Sequence, residues 1–218
     1  MKTFIVIPAH NEEENISNVL SEVKKYCENI IVVDDGSTDN TYVIAKSQGV
    51  HMVRHVINLK KGCALRNGCD KAIQLGAEVI IVMDSDGQHS PEDLPLFFEK
   101  IKNNDIVFGS RKPSKEMPLL LKFGNTFLSK IVQYFFKIKI CDTQSGFRAF
   151  TNYTYGVIRW SANDYSAETE MLVRAGKHNL KYAEVSIQTI YKDNYKGTTV
   201  IDGLKILTNI LWWKVTKK

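Results

Sequence analysis

The run Ile80-Ile81-Val82-Met83 contains no polar residue and stops abruptly at Asp84-Ser85-Asp86-Gly87-Gln88-His89. A strand this apolar must be covered on both faces, as strands inside a parallel α/β sheet are. Open sheets of that kind bind ligands beyond the carboxyl ends of their strands. Asp84 and Asp86 stand at such an end, and residues i and i+2 of an extended chain share one side. Both carboxylates can then reach one divalent cation, with the amide oxygen of Gln88 beside them. Hard oxygen ligands suit Mg²⁺ or Mn²⁺, which keep positions open for substrate phosphates. The competing reading is a solvated turn in which an Asp is a local cap. An Asp-x-Asp alone is too short a pattern to choose between them.

Similar units precede and follow this one. Phe4 to Ile7 end at Pro8, and Ile16, Val19, Leu20 and Val23 then recur at helical spacing. Ile30 to Val33 meet Asp34-Asp35-Gly36-Ser37-Thr38-Asp39 before a helical stretch with Val43, Ile44 and Ala45. His51 to Arg54 form a weaker third strand, Val79 to Met83 the fourth and Asp105 to Gly109 the fifth, with Pro91 opening the helix between the last two. The alternation predicts an α/β fold with right-handed crossovers and a mostly parallel sheet flanked by helices. No linker, repeat or low-complexity tract divides residues 1–218, so a single domain is expected.

A formal charge of +5 favours acidic partners such as phosphorylated substrates or an anionic membrane surface, although a solvated basic face explains it equally. Cys27, Cys63, Cys69 and Cys141 show neither C-x-x-C pairing nor zinc spacing, and no signal-peptide pattern opens the chain. A reducing, cytoplasmic setting follows. No apolar run reaches the roughly 20 residues of a spanning helix. Two segments are nevertheless amphipathic and basic: Pro118 to Ile140, with Lys122, Lys130, Lys137 and Lys139, and the C-terminus, where Trp212 and Trp213 lie among lysines. Each is either a membrane-interface helix or one that covers the sheet.

In a parallel sheet the polar clusters after successive strands converge at one edge. Pro8, Asn11 and Glu12 can present backbone and a carboxylate to a nucleoside, and Asp35 can accept from a base or a ribose hydroxyl. Asn58, Lys60, Lys61 and Gly62 precede a helix, so amide groups and an ammonium there can meet a base or diphosphate. The alternatives are that Asp34 and Asp39 cap the next helix, that Gly36 only turns the chain, and that residues 58–62 are a surface loop. His89 either contacts a diphosphate or closes its turn.

In order, these blocks resemble the family-2 inverting nucleotide-sugar glycosyltransferases of the GT-A (Rossmann-like) fold, especially the branch similar to dolichol-phosphate mannose synthase. The likeness covers nearly the whole chain, through Gly109-Ser110-Arg111 to Asp142-Thr143-Gln144-Ser145-Gly146-Phe147-Arg148. It implies a nucleotide-sugar-binding half over 1–110 and an acceptor-side half over 111–218. Pro8, Asn11, Glu12, Asp35, Lys60 and Asp84 would hold the donor, and Asp84, Asp86 and Gln88 would surround Mg²⁺ or Mn²⁺. Asp86, Arg111 and Arg148 would be catalytic, with the two arginines on the acceptor side. Tyr191-Lys192 and Lys196 to Thr199 loosely resemble a segment that closes over the donor.

The implied reaction moves a hexose, mannose from GDP-mannose or glucose from UDP-glucose, onto a polyprenyl phosphate with inversion. A divalent ion stabilises charge on the departing diphosphate. A phosphate acceptor, with a second ionisation at about pH 6, arrives already anionic and needs positive charge more than a base. Arg111, Lys122 and Arg148 are suitable, unless they pair structurally with Asp142, Asp105 or a helix end. A hydroxyl acceptor on a glycan would instead need a base, for which Glu168 and Glu170 are candidates as an i, i+2 pair near an extended segment; the favoured alternative is that they are charges near a helix N-terminus. A non-catalytic nucleotide-sugar-binding module is the third reading. Arg159-Trp160, with Gly156 in place of a glutamine, argues against a processive polymerase. The expected partners are the nucleotide sugar, the lipid phosphate and a membrane surface, with a membrane partner subunit left open and no nucleic acid. The expected place is peripheral, at the cytoplasmic face of a membrane.

Overall fold

Apolar runs too short for helices and bounded by polar turns form the strands, and the segments with helical spacing cross between them. The computed structural model describes residues 1–111, 119–188, 190 and 200–216, with side chains at 119–127, 200–202 and 204 excepted. The Lys122 side chain and residues 191–199 therefore lie outside what is described. The elements are β1 (Thr3–Ala9), α1 (Ile16–Lys24), β2 (Ile30–Asp34), α2 (Thr41–Ser47), β3 (His51–Arg54), α3 (Lys61–Gln74), β4 (Val79–Val82), α4 (Leu94–Lys100) and β5 (Ile106–Arg111). There follow α5 (Leu119–Phe136), β6 (Arg148–Thr151), α6 (Asn152–Ile158), α7 (Ser166–Lys177), β7 (Tyr182–Ile187) and α8 (Val200–Val215).

The seven-stranded sheet has the order β3-β2-β1-β4-β6-β5-β7. β1 pairs in parallel with β2 and β4, β2 with β3, and β5 with β7. β6 is antiparallel to both β4 and β5, with Ile81 opposite Ala149 and Val107 opposite the same alanine. The five expected strands are all present. β6 and β7 are additional, and β6 separates two strands that consecutive crossovers would have placed side by side.

Alternation along the strands divides the core between the two faces of the sheet. Phe4 and Val6 join Leu65, Val132, Trp160, Met171 and Ile210 on one side, under α3, α5, α7 and α8. Ile5 and Ile7 join Ile16, Leu20, Leu94, Phe97 and Phe147 on the other. Helix α3 lies close against the sheet because residue 68 is glycine; a Cβ there would come within 2.4 Å of Val6 and 2.8 Å of Val33. That close seat places the first turn of α3 beside the strand ends.

Both basic amphipathic segments contribute to this core. In α5, Leu128, Val132 and Phe136 are buried, and in α8 Ile206 and Ile210 are buried. Their other faces remain apolar in part, since Tyr134 is 81% and Trp212 65% exposed. No helix among the described residues is long and apolar enough to cross a membrane. All four cysteines are free thiols.

Candidate active site

The loops after β1, β2 and β4 meet the 142–146 loop, the start of α7 and Lys205 of α8 around a cavity of about 520 Å³. Of the residues singled out in the sequence, Pro8, Glu12, Asp35, Lys60, Asp84, Asp86, Gln88 and Arg111 line it. Asn11 and Arg148 do not.

The side of the cavity formed after β1 and β2 is built by loops that bind each other. Asn11, at φ 53°, donates its N–H to Ser37 Oγ at 3.0 Å and accepts Thr38 N at 2.9 Å on its Oδ1. It thus joins the β1 and β2 loops from behind the cavity. Glu12 donates its N–H to Thr41 Oγ1 at 2.7 Å. Asp34 takes Ser37 N and pairs with Arg54 at 3.1 Å, while Asp39 caps Thr41. Gly36 turns the chain at φ 69°, and a Cβ there would stand 2.5 Å from the Ile57 carbonyl carbon. Asp35 is left facing the cavity. Lys60 has φ 74° at the start of α3 and lines the cavity.

Extended alternation does not carry Asp84 and Asp86 to one place. The strand ends at Val82, and a turn follows in which Asp86 Oδ1 accepts Gln88 N at 2.9 Å and Gly87 adopts φ 71°. His89 closes that turn: its Nδ1 accepts Asp84 N at 3.3 Å, and its ring stacks on Phe147 with centroids 5.2 Å apart. Residue 146 must lack a side chain, because a Cβ would lie 2.7 Å from Asp84 Oδ2.

Lys61, one of the two lysines whose ammonium the sequence offers to a base or diphosphate, pairs with two carboxylates of this chain. Its Nζ lies 2.7 Å from Asp84 Oδ1 and 2.9 Å from Glu168 Oε1. Burial opposes its charge, but Asp84 and Glu168 outweigh that and raise its pKa well above the ordinary lysine value. Burial likewise works to raise the Asp84 carboxyl, yet Lys61 and then His89 hold it below the usual range. Burial and then the adjacent Asp84 charge push the Asp86 carboxyl up. Burial depresses the His89 imidazole despite the two carboxylates.

Glu168 and Glu170 lie in the first turns of α7, the helix-start alternative of the sequence reading, and the helix turns them to different neighbours. Glu168 meets Lys61; Glu170 accepts Ser161 N at 3.0 Å and Ala162 N at 2.9 Å and pairs with Arg174 at 2.8 Å. Neither lines the cavity.

The two arginines separate. Arg111 lines the cavity and also forks onto Asp142, Nε to Oδ2 at 2.5 Å and Nη2 to Oδ1 at 3.0 Å. Burial would raise the Asp142 carboxyl, but Arg111 holds it below the usual value. The structure does not bring Arg148 to the acceptor side. It is 1% exposed in β6 and donates to the carbonyls of Thr143, Ser145 and Glu168. Burial pushes its guanidinium down to about 10, against the pull of Glu168 and Asp142. Its place is to tie the 143–146 loop to α7. Tyr165, Asp164 and Lys205, the last two ion-paired, complete the far wall. Arg159-Trp160 serves structure: Arg159 pairs with Asp70, and the Trp160 indole donates to Gly62 O at 2.8 Å.

No three His, Cys, Asp or Glu side chains converge on one point among the described residues. Asp84, Asp86 and Gln88, which all line the cavity, would offer two carboxylates and one amide. That fits a hard divalent cation, which completes its shell with water and phosphate oxygens.

A sheet of this order with carboxylates after β4 is the frame of the GT-A glycosyltransferases. The chain superimposes with a TM-score of 0.78 on glucosyl-3-phosphoglycerate synthase of Mycobacterium tuberculosis, crystallised with Mn²⁺, UDP and phosphoglyceric acid, at 17% identity over 98% of this chain and 78% of that one. Likeness at that identity speaks for the fold. The sequence profile of glycosyl transferase family 2 matches residues 4–156, and the chain belongs to that family. It is 36% identical to the UDP-N-acetylglucosamine–dolichyl-phosphate N-acetylglucosaminyltransferase of Methanococcus voltae, over 98% of this chain and 96% of the relative. It is 28% identical to the polyprenol monophosphomannose synthase of Mycolicibacterium smegmatis, over 94% and 83% of the two. The protein is a glycosyltransferase.

Proposed function

We propose that this glycosyltransferase moves a sugar from a nucleoside diphosphate to a polyprenyl phosphate with inversion. The observation that carries the acceptor assignment is the gathering of three cationic side chains, Arg111, Lys61 and Lys205, in the cavity lining. A hydroxyl acceptor would need a base; an ionised phosphate needs cations that hold it in line. The lipid-phosphate acceptors named for the Methanococcus and Mycolicibacterium relatives support the same reading.

Asp84, Asp86 and Gln88 would hold Mg²⁺ or Mn²⁺, which when bound supplies Lewis-acid stabilisation of the departing diphosphate. Pro8, Glu12, Asp35 and Lys60 bind the donor, with Asn11 fixing the loops behind them. Arg111, oriented by Asp142, aims the acceptor phosphate. One of its oxygens attacks the anomeric carbon, and the bond to the diphosphate oxygen breaks with its electron pair leaving on that oxygen. Arg148 acts through the 143–146 loop. The lipid end is assigned to the outer faces of α5 and α8, where Tyr134, Leu211, Trp212 and Val215 are exposed near Lys130 and Lys214. Apolar side chains with flanking lysines suit an anionic membrane surface.

Incubation with polyprenyl phosphate and Mn²⁺, supplying in turn GDP-mannose, UDP-glucose and UDP-N-acetylglucosamine, yields a lipid-linked sugar with at least one donor. Transfer to glycan hydroxyls and to none of the lipids overturns the acceptor assignment.

A further inference from the structure

The hydrogen bonds around Asp35 restrict which base can sit beside it. Asp35 lines the cavity at 3% exposure. Its Oδ1 receives His55 Nδ1 at 2.7 Å and Leu59 N at 2.8 Å. Those two donors use both in-plane lone pairs of that oxygen. No hydrogen bond from a described residue reaches Oδ2, so it remains for a ligand. His55 is buried, and its Nε2 faces Asn67 Nδ2 of α3 at 2.9 Å. An amide NH₂ donates, so Nε2 accepts and the imidazole proton sits on Nδ1, directed at Asp35. Asn58 lines the same cavity, and its Oδ1 already accepts Lys60 N at 2.9 Å, which leaves its NH₂ as the free group.

β2 lies two strands from β4, about 10 Å across the sheet. That is the order of distance between a diphosphate at Asp84 and Asp86 and the pairing edge of its base. Resting on the donor reading above, we propose that His55, backed by Asn67, is a specificity-determining residue. It leaves Asp35 with one free carboxylate oxygen and so makes the cavity take uridine in preference to guanosine nucleotides.

Uracil presents one donor, N3–H, to Oδ2 and a flanking carbonyl to the Asn58 amide. Cytosine and adenine present a ring-nitrogen acceptor, which the carboxylate repels. Guanine presents N1–H and also a 2-amino group; the second donor needs the oxygen that His55 and Leu59 have taken. A buried donor left without a partner is expensive, and sites built to pair such groups discriminate strongly. His55 touches no substrate atom and acts only through Asp35.

Titration calorimetry with Mn²⁺ and UDP, GDP or CDP tests this on the full chain. The wild type is expected to bind UDP at least about tenfold more tightly than GDP, the ratio that one unpaired buried donor produces. Asp35→Asn turns an NH₂ toward the base and exchanges preference for UDP with preference for CDP. His55→Phe frees one of the two lone pairs on Oδ1, leaving Leu59 N on the other, and lowers the UDP:GDP ratio severalfold, whereas a purely structural histidine would weaken both nucleotides alike. GDP binding equal to or tighter than UDP in the wild type overturns the base assignment alone and needs no variant to fold. Failure of every nucleoside diphosphate to bind overturns the donor reading with it.

Discussion

In the cavity wall made by the β1 and β2 loops the bonds Asn11 to Ser37 and Thr38 and Glu12 to Thr41 join neutral groups, alongside bonds to the Asp39 and Glu13 carboxylates and one ion pair, Asp34 with Arg54. The wall facing it, from β5, the 142–146 loop and α7, is held by ionised pairs: Lys61 with Asp84 and Glu168, Arg111 with Asp142, and Lys205 with Asp164. A neutral network fixes shape at little electrostatic risk, because losing one bond leaves no stranded charge. An ionic wall can receive a charged diphosphate and a charged acceptor, but each partner removed leaves a charge poorly solvated. The neutral contacts are therefore expected to tolerate substitution better than the ionic ones.

Asp86 stands where the two walls meet, and its replacement should have the largest effect. Asp86→Ala is expected to lower metal-dependent turnover by about 10²–10³-fold, the range for removing one electrostatic stabiliser. Circular dichroism and urea unfolding should change little. Full turnover in the variant would break the metal assignment. Next comes Lys61→Met, which leaves Asp84 and Glu168 without their shared cation. It should cost about 3 kcal/mol in urea unfolding, toward the lower end for a broken buried pair because Lys61 and Asp84 retain some exposure. An unchanged midpoint would show that the ionic wall contributes nothing to stability.

The Arg111–Asp142 pair gives a pH test. The folded Asp142 carboxyl lies below its ordinary value, held there by Arg111 against burial. Its contribution is present above the unfolded value of about 3.9 and is lost as pH falls through the lower folded one. Asp142→Asn should flatten the acid limb of a stability–pH curve in that window; a superimposable limb would remove the pair from the account. The smallest effect belongs to the neutral contacts. Ser37→Ala deletes the acceptor of Asn11 N and should cost about 1 kcal/mol, with acceptor KM unaffected. A cost as large as that of Lys61→Met would erase the contrast between neutral and ionic contacts.

Much of the frame was legible because its signals are local. Ile30 to Val33 and Val79 to Met83 are continuous apolar runs, and each is followed by the loop that lines the cavity. β6 was not, because Arg148-Ala-Phe-Thr is short, begins with a charge and lies beside a motif that drew the reading toward chemistry. Only tertiary pairing reveals that Arg148 is sealed under α7. The pairing of Lys61 was hidden for a similar reason: nothing near it in sequence announces Glu168, 107 positions further on. The roles of Glu168 and Glu170 depended on one choice, helix or extended chain, since a spacing of two shares a side only in the latter.

The antiparallel insertion of β6 also orders assembly in time. β1 to β4 pair with one another, so that part of the sheet can form early, whereas the second edge of β4 needs β6, and β5 pairs with β6 and β7, both encoded later. During translation β4 waits with a bare edge until residue 148 emerges, and contacts of long sequence separation form slowly. A nascent chain stalled before that point should be a target for chaperones, because an unpaired apolar strand invites aggregation.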